Sequence, residues 1–205
     1  MSYSQKVPMV QPLSREKIEN DSLLFLQKHH PEPLRSDQSI DIEYIFELIV
    51  PQIQPDIKTG YFDLSSFGTG VMGFTDAARK ISYVHNELYD AALQYPCSPE
   101  ARRFRATVAH EVSHCICHYS YLKTFKSICS IVGVGNTLMR RRSDIPPYMD
   151  PEWQAWEQAG ALLMPKPCIE ELIRKRKNVN EIAEVFNVNP AFVQNRIIRL
   201  KKLQK

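Results

Sequence analysis

SPEARRFRATVAHEVSHCICH, residues 98–118 of a 205-residue chain, carries its own start signal. Ser98 is a capping residue, Pro99 takes the first helical position, where its missing N–H costs nothing, and Glu100 places an acid in the positive first turn. The pattern predicts a long helix ending at Tyr119 or Tyr121, with an apolar stripe through Val108, Val112, Cys115 and Tyr119. On it stands His110-Glu111-Val112-Ser113-His114. Four residues advance a helix by ~400°, so the two imidazoles stand one turn apart on one face, close enough to grip a single metal ion. Glu111 points about 100° round, where it faces a metal-bound water without ligating the metal. A zinc hydrolase requires this arrangement.

Zinc in a catalytic site takes three protein ligands and keeps one position open. His118 continues the spacing but lies eight residues from His110, a rise of ~12 Å, against Zn–N bonds of ~2.0–2.1 Å. The extended pattern HExxHxxGxxH fails as well, with Cys117 at the glycine position and Ser120 at the last histidine. A later helix offers the ligand. Asp150-Pro151-Glu152 repeats the start signal, and the helix closes at Pro165. Ala155 and Ala159 share the face of Glu152, and side chains this small let two helices approach closely enough for a carboxylate to reach a metal on its neighbour. Glu157 is the rival, about 140° away round the axis, so at most one of the two faces the metal helix. The alanine face favours Glu152.

Hydrophobic residues at 43% and charged residues at 24% are values of a globular chain with ample length for a core. No apolar run approaches the roughly 20 residues that span a bilayer, and the N-terminus lacks the apolar centre of a signal peptide. Five cysteines, an odd number, read as free thiols, and a cytoplasmic location is expected. Cys115 and Cys117 flank the metal helix and read as buried small hydrophobes. The formal charge of +3 divides unevenly: residues 1–165 carry 16 Lys+Arg against 19 Asp+Glu, and residues 166–205 carry 10 against 4.

The fold class expected is α+β. Residues 1–35 hold one weak amphipathic segment opening at Ser14 and read as an N-terminal extension, stopped by Pro31 and Pro33. A first core helix follows, with Ile42, Ile45, Phe46 and Ile49 on one face, ending before Pro51. The runs IKTGYFDL, TGVMGFT and KISYVH suit a small antiparallel sheet, whose register is blurred by glycines 60, 68, 70 and 73 that could equally mark bulges. From Leu122 to Asp150 the chain reads as a long irregular or partly helical connection containing Gly133, Gly135 and Arg140-Arg141-Arg142, and its length makes it a candidate for substrate contacts. Residues 167–205 form a basic helical segment. Within it Ile182, Ala183 and Phe186, a turn at Asn187-Val188-Asn189, and a second helix resemble a helix-turn-helix, so nucleic acid contact competes with simple packing on the main domain.

The run from Arg103 to His118 resembles the R-F-T-x-A-H-E-x-G-H-x-x-x-H segment of ImmA/IrrE zinc metallo-endopeptidases. Glu152-x-x-Ala155 followed by Leu162-Leu163-Met164-Pro165 resembles their second signature, E-x-x-A-N-x-F-A-x-x-L-L-M-P. The likeness covers about residues 40–200. It implies a zincin-like helical core in a metallopeptidase domain over residues 36–166, zinc ligands at His110, His114 and Glu152, and Glu111 as general base. Ser113, Trp156 and Gln158 depart from the family's glycine, asparagine and phenylalanine. A donor for the tetrahedral oxyanion should exist; Tyr61, Tyr83, His85 and His118 are the candidates, with His118 also placed to support a ligand. The function implied is a narrow-specificity, Zn2+-dependent endopeptidase cleaving a protein substrate, a helix-turn-helix transcriptional repressor, and so releasing stress, mobile-element or phage-related genes. The alternatives are an inactive regulatory module that binds DNA or a partner protein, and the toxin or partner half of a two-gene module.

Overall fold

The structure, a computed structural model, describes residues 6–36, 38–132 and 139–203. Strand β1 (Lys6–Pro8) leads to helix α1 (Arg15–His29), which Ser14 caps by accepting the Lys17 N–H at 3.2 Å. The N-terminal stretch expected to precede the domain is built into it. Ile18, Ser22 and Leu26 are buried, Leu26 within the main hydrophobic cluster. A 3₁₀ turn, Glu32–Arg35, follows where the two prolines were expected to stop the helix.

Helices α2 (Ile42–Tyr44) and α3 (Val50–Ile53) form one helical stretch joined by a π-turn, Ile45–Ile49. The predicted face of Ile42, Ile45, Phe46 and Ile49 is buried. The predicted stop before Pro51 is not observed. The Val50 N–H reaches back five residues to the Ile45 carbonyl, and Pro51 falls in the first turn of α3, where a missing N–H is tolerated.

Three strands follow: β2 (Lys58–Phe62), β3 (Gly73–Asp76) and β4 (Ile81–His85), in the order β2-β4-β3. The expected antiparallel pairing holds at β3–β4, a hairpin whose turn places Lys80 at φ 58°. Pairing of β2 with β4 is parallel, Lys58 opposite Ile81 and Phe62 opposite His85, which corrects the expectation of a wholly antiparallel sheet. The chain reverses twice between these strands while β4 inserts between β2 and β3, so the outer two never meet. Thr75 and Ser82 stand opposite each other on the face towards the helices; Phe74 and Tyr83 stand opposite on the other.

Helix α4 (Asn86–Gln94), unmarked by any start signal recognised in the sequence, precedes α5 (Pro99–Ser113), whose Ser98 cap accepts the Ala101 N–H at 3.1 Å as predicted. The helix does not stop at Tyr121. A π-turn, His114–His118, carries it into α6 (Tyr119–Val132), so the connection expected from Leu122 is helical over its first third. Gly133, Gly135 and the side chain of Cys129 lie outside the described residues. Strand β5 (Met139–Arg141) pairs with β1, Lys6 opposite Arg141.

Helix α7 (Pro151–Leu163) packs against both α5 and α1, with Ala155 and Ala159 fully buried in the contact. Its last turn buries Leu162, Leu163 and Met164 completely, each worth about 1.5–3 kcal/mol relative to exposure. Helices α8 (Lys166–Arg174), α9 (Val179–Phe186) and α10 (Pro190–Leu203) complete an α+β fold, with a three-residue turn between the last two and Asn187 left-handed at φ 49°. Residues of these last helices, including Ile182, Phe186, Val193 and Leu200, share one hydrophobic cluster with α5 and α7.

Candidate metal centre

Two of the grouped side chains come from α5 and its junction with the π-turn, the third from the first turn of α7. His110 Nε2 and His114 Nε2 are 3.0 Å apart; Glu152 Oε2 lies 3.3 Å from the first and Glu152 Oε1 3.4 Å from the second, so the three residues form a triangle. A tetrahedral ion with bonds of ~2.0–2.1 Å sets its ligand atoms about 3.3 Å apart, and these separations, with the carboxylate turning one oxygen to each imidazole, are of the size a metal site needs. The Glu152 position is held from behind. Asp150 caps α7 by accepting the Glu152 N–H at 3.0 Å, and its other oxygen takes the Arg142 Nε–H at 2.8 Å. Burial alone would raise the Glu152 carboxyl, but its contacts with the two imidazoles outweigh that and hold the group below its ordinary value.

Glu157, the rival ligand, points elsewhere. It is 4% exposed and lies between Arg15 of α1 at 3.3 Å and Arg199 of α10 at 3.4 Å. The geometric choice between the two glutamates is thus made by what faces each side of α7.

Glu111 stays out of the triangle, buried beside it. Its Oε2 accepts the Thr75 hydroxyl hydrogen at 2.6 Å; Thr75 in turn lies 2.7 Å from Ser82, which must be the donor because the one hydroxyl hydrogen of Thr75 is already given. Burial, opposed by His114 and the Thr75 hydrogen bond, pushes the carboxyl up to about 7. Strand β3 crosses so closely here that a Cβ on Gly73 would lie 2.8 Å from Glu111 Cδ and 2.9 Å from Cγ. Neither Thr75 nor Gly73 was singled out as a site residue in the sequence, although a glycine inside a strand does mark close approach.

Of the four oxyanion candidates, only His118 adjoins the triangle. It is 1% exposed, with Nδ1 3.0 Å from His114 Nδ1 and Nε2 2.9 Å from Gln154 Oε1. Burial first, then His114, push it down to about 3, so the ring is neutral. Tyr83 lies on the far face of the sheet, its ring 4.4 Å from Phe62. Tyr61 is stacked on Tyr89 and donates to Glu47 at 2.8 Å, and His85 Nδ1 caps α4 by accepting the Glu87 N–H. Cys115 and Cys117 are both pushed up to about 12 by burial and are inert thiols, Cys117 donating to Gln158 at 2.8 Å. Trp156, absent from the sequence reading as a site residue, packs its ring 4.4 Å from that of His110.

The basic C-terminal segment turns its two α10 arginines inward. Arg196 is 2% exposed, pairs with Glu19 of α1, and donates to the Met164 carbonyl that ends α7; Arg199 meets Glu157. No helix among the described residues is long and apolar enough to cross a membrane.

No curated protein matches the chain. Residues 96–197, about half of it, match the family model of the IrrE N-terminal-like domain, Peptidase M78, and this span holds α5, α7 and the whole His-His-Glu triangle. A helix pair that brings two imidazoles and a carboxylate to metal-binding distance, inside the matched span, places the chain in the ImmA/IrrE family of metallopeptidases.

Proposed function

We propose that the protein is a zinc-dependent endopeptidase of narrow specificity, acting in the cytoplasm on a helix-turn-helix transcriptional repressor and so releasing stress, mobile-element or phage-related genes. The observation that carries the metal reading is the convergence of His110, His114 and Glu152, with nitrogen–nitrogen and nitrogen–oxygen separations of 3.0, 3.3 and 3.4 Å, beside a buried carboxyl that stays out of the group. His110, His114 and Glu152 would hold the ion. When bound there, zinc supplies Lewis acidity, acidifying a water and polarising the scissile carbonyl.

Glu111 takes a proton from the attacking water and returns it to the leaving amine. A carboxyl pushed up to about 7 suits both directions near neutral pH. Thr75 anchors Oε2 and leaves Oε1 for the proton. Strand β3 is an edge of the described sheet, so an extended peptide pairing with it would pass directly beside Glu111. The repressor as substrate rests on the family likeness. For residues 167–205 the buried Arg196–Glu19 pair and the contact of Arg199 with Glu157 favour bracing over nucleic acid contact.

The test uses wild type, Glu111→Gln and His114→Ala, each analysed for zinc and incubated with candidate repressors, with products read by mass spectrometry. Near-stoichiometric zinc in the first two, its loss in His114→Ala, and cleavage by wild type alone are expected. Cleavage by Glu111→Gln, or equal metal content in all three, refutes the proposal.

A further inference from the structure

The geometry points to a hydrogen-bond relay, from two backbone carbonyls through Gln154 and His118, that sets the tautomer of His114; it rests on the metal centre proposed above. Gln154 is fully buried. Its Nε2 donates to the Gln11 carbonyl at 2.8 Å and to the Tyr148 carbonyl at 2.7 Å. Carbonyl oxygens only accept, so these two contacts decide which end of the amide faces which way, and Oε1 is left towards His118 at 2.9 Å. That oxygen also only accepts. His118 Nε2 therefore carries a hydrogen.

Buried at 1% exposure, where an unpaired charge is costly, His118 carries that one hydrogen and keeps a lone pair on Nδ1. The His114 Nδ1, 3.0 Å away, must then be the donor. With its hydrogen on Nδ1, His114 leaves Nε2 as the nitrogen free to ligate, and Nε2 is the atom that faces Glu152 and His110. Each link forces the next. The π-turn spanning His114–His118 is where the two rings meet, an irregularity of a kind often found at functional positions.

His110 lacks such support. Its Nδ1 is buried with no hydrogen-bond partner, and its ring is held instead by packing against Trp156, which stands where the family signature has asparagine. The two imidazoles are thus positioned by different means, one by hydrogen bonds and one by stacking. His118 and Gln154 are positioning residues: they reach the reaction only through His114. Gln11 brings the N-terminal segment into the metal centre, a role its distance in sequence conceals.

The experiment reads histidine tautomers by long-range ¹H–¹⁵N spectra of the metal-free wild type at neutral pH, then zinc affinity by chelator competition in wild type, His118→Phe and Gln154→Leu. Hydrogen on His114 Nδ1 and on His118 Nε2 is expected, with affinity lower by about 10–100-fold in each variant. Absence of hydrogen from His114 Nδ1 in the wild type overturns the relay whether or not the variants fold, as does unchanged affinity in a folded His118→Phe. Wild type with the expected tautomers but no zinc binding would leave the relay standing and remove the proposed metal centre instead.

Discussion

Gly73→Ala tests the idea that an edge strand, and no metal ligand, holds the proposed general base, Glu111, in place. The new Cβ would stand 2.8 Å from Glu111 Cδ and 2.9 Å from Cγ, well inside an ordinary carbon–carbon contact of about 3.5–4.0 Å. Glu111 is 4% exposed and tied to Thr75 at 2.6 Å, so it has no free direction in which to retreat. Either the carboxyl moves by about 1 Å and breaks the Thr75 hydrogen bond, or β3 lifts from α5. A displacement of that size costs on the order of 10²-fold in rate. Overpacking adds a stability loss of about 1–3 kcal/mol. The assay combines zinc analysis, urea unfolding and the rate of cutting of whichever repressor the wild type cleaves. Zinc content should equal that of wild type, because His110, His114 and Glu152 are untouched, while cleavage falls about a hundredfold. Cleavage within about threefold of wild type at unchanged stability would refute the steric argument.

Three further outcomes are expected. In the metal-free protein Glu111 sits at about 7, above the ordinary 4.5, so the folded state holds a proton that the unfolded chain releases. Stability should therefore fall as pH rises from 4.5 to 7, by up to about 3 kcal/mol at 1.36 kcal/mol per pKa unit. Urea unfolding of wild type and Glu111→Gln in chelator at pH 5 and pH 8 checks it; a difference between the two proteins that does not change with pH contradicts it. Glu157→Gln should keep its zinc and lose about 1–2 kcal/mol, discounted because Arg15 and Arg199 are each 32% exposed, whereas Glu152→Gln should lose zinc; the reverse assignment would make Glu157 the ligand. Arg196→Ala leaves the Glu19 carboxylate buried and unpaired and should cost about 3–5 kcal/mol in urea unfolding, a value that a merely surface-exposed α10 would not show.

The C-terminal segment illustrates why charge counted along a chain misleads. Ten basic against four acidic residues over 166–205 suggested an electrostatic surface, yet of the two arginines of α10 Arg196 is buried against Glu19 and Arg199 pairs with the buried Glu157, both partners coming from distant helices. The N-terminal segment shows the same thing. Its weak amphipathicity read as an appendage, but Leu26 lies in the main hydrophobic cluster, Glu19 anchors Arg196, and the Gln11 carbonyl orients Gln154. Partners supplied by residues well over a hundred positions away leave no local trace.

What the sequence determined by itself was local. Ser98-Pro99 and Asp150-Pro151 start their helices as predicted, because a cap bonds an N–H two or three residues on. His110 and His114 share a face because four residues make about one turn. The buried face of Ile42, Ile45, Phe46 and Ile49 follows from the same period. Tertiary structure decided everything that depends on approach. It brought Glu152 to the two histidines and gave Glu157 to Arg15 and Arg199, made β2 and β4 parallel by inserting one strand between two others, and laid Gly73 and Thr75 over Glu111. The physical reason is one of range. Capping and helical periodicity act over a few residues of covalent chain, whereas the position of a metal ligand or a buried base is set by packing between elements that only the folded core brings together.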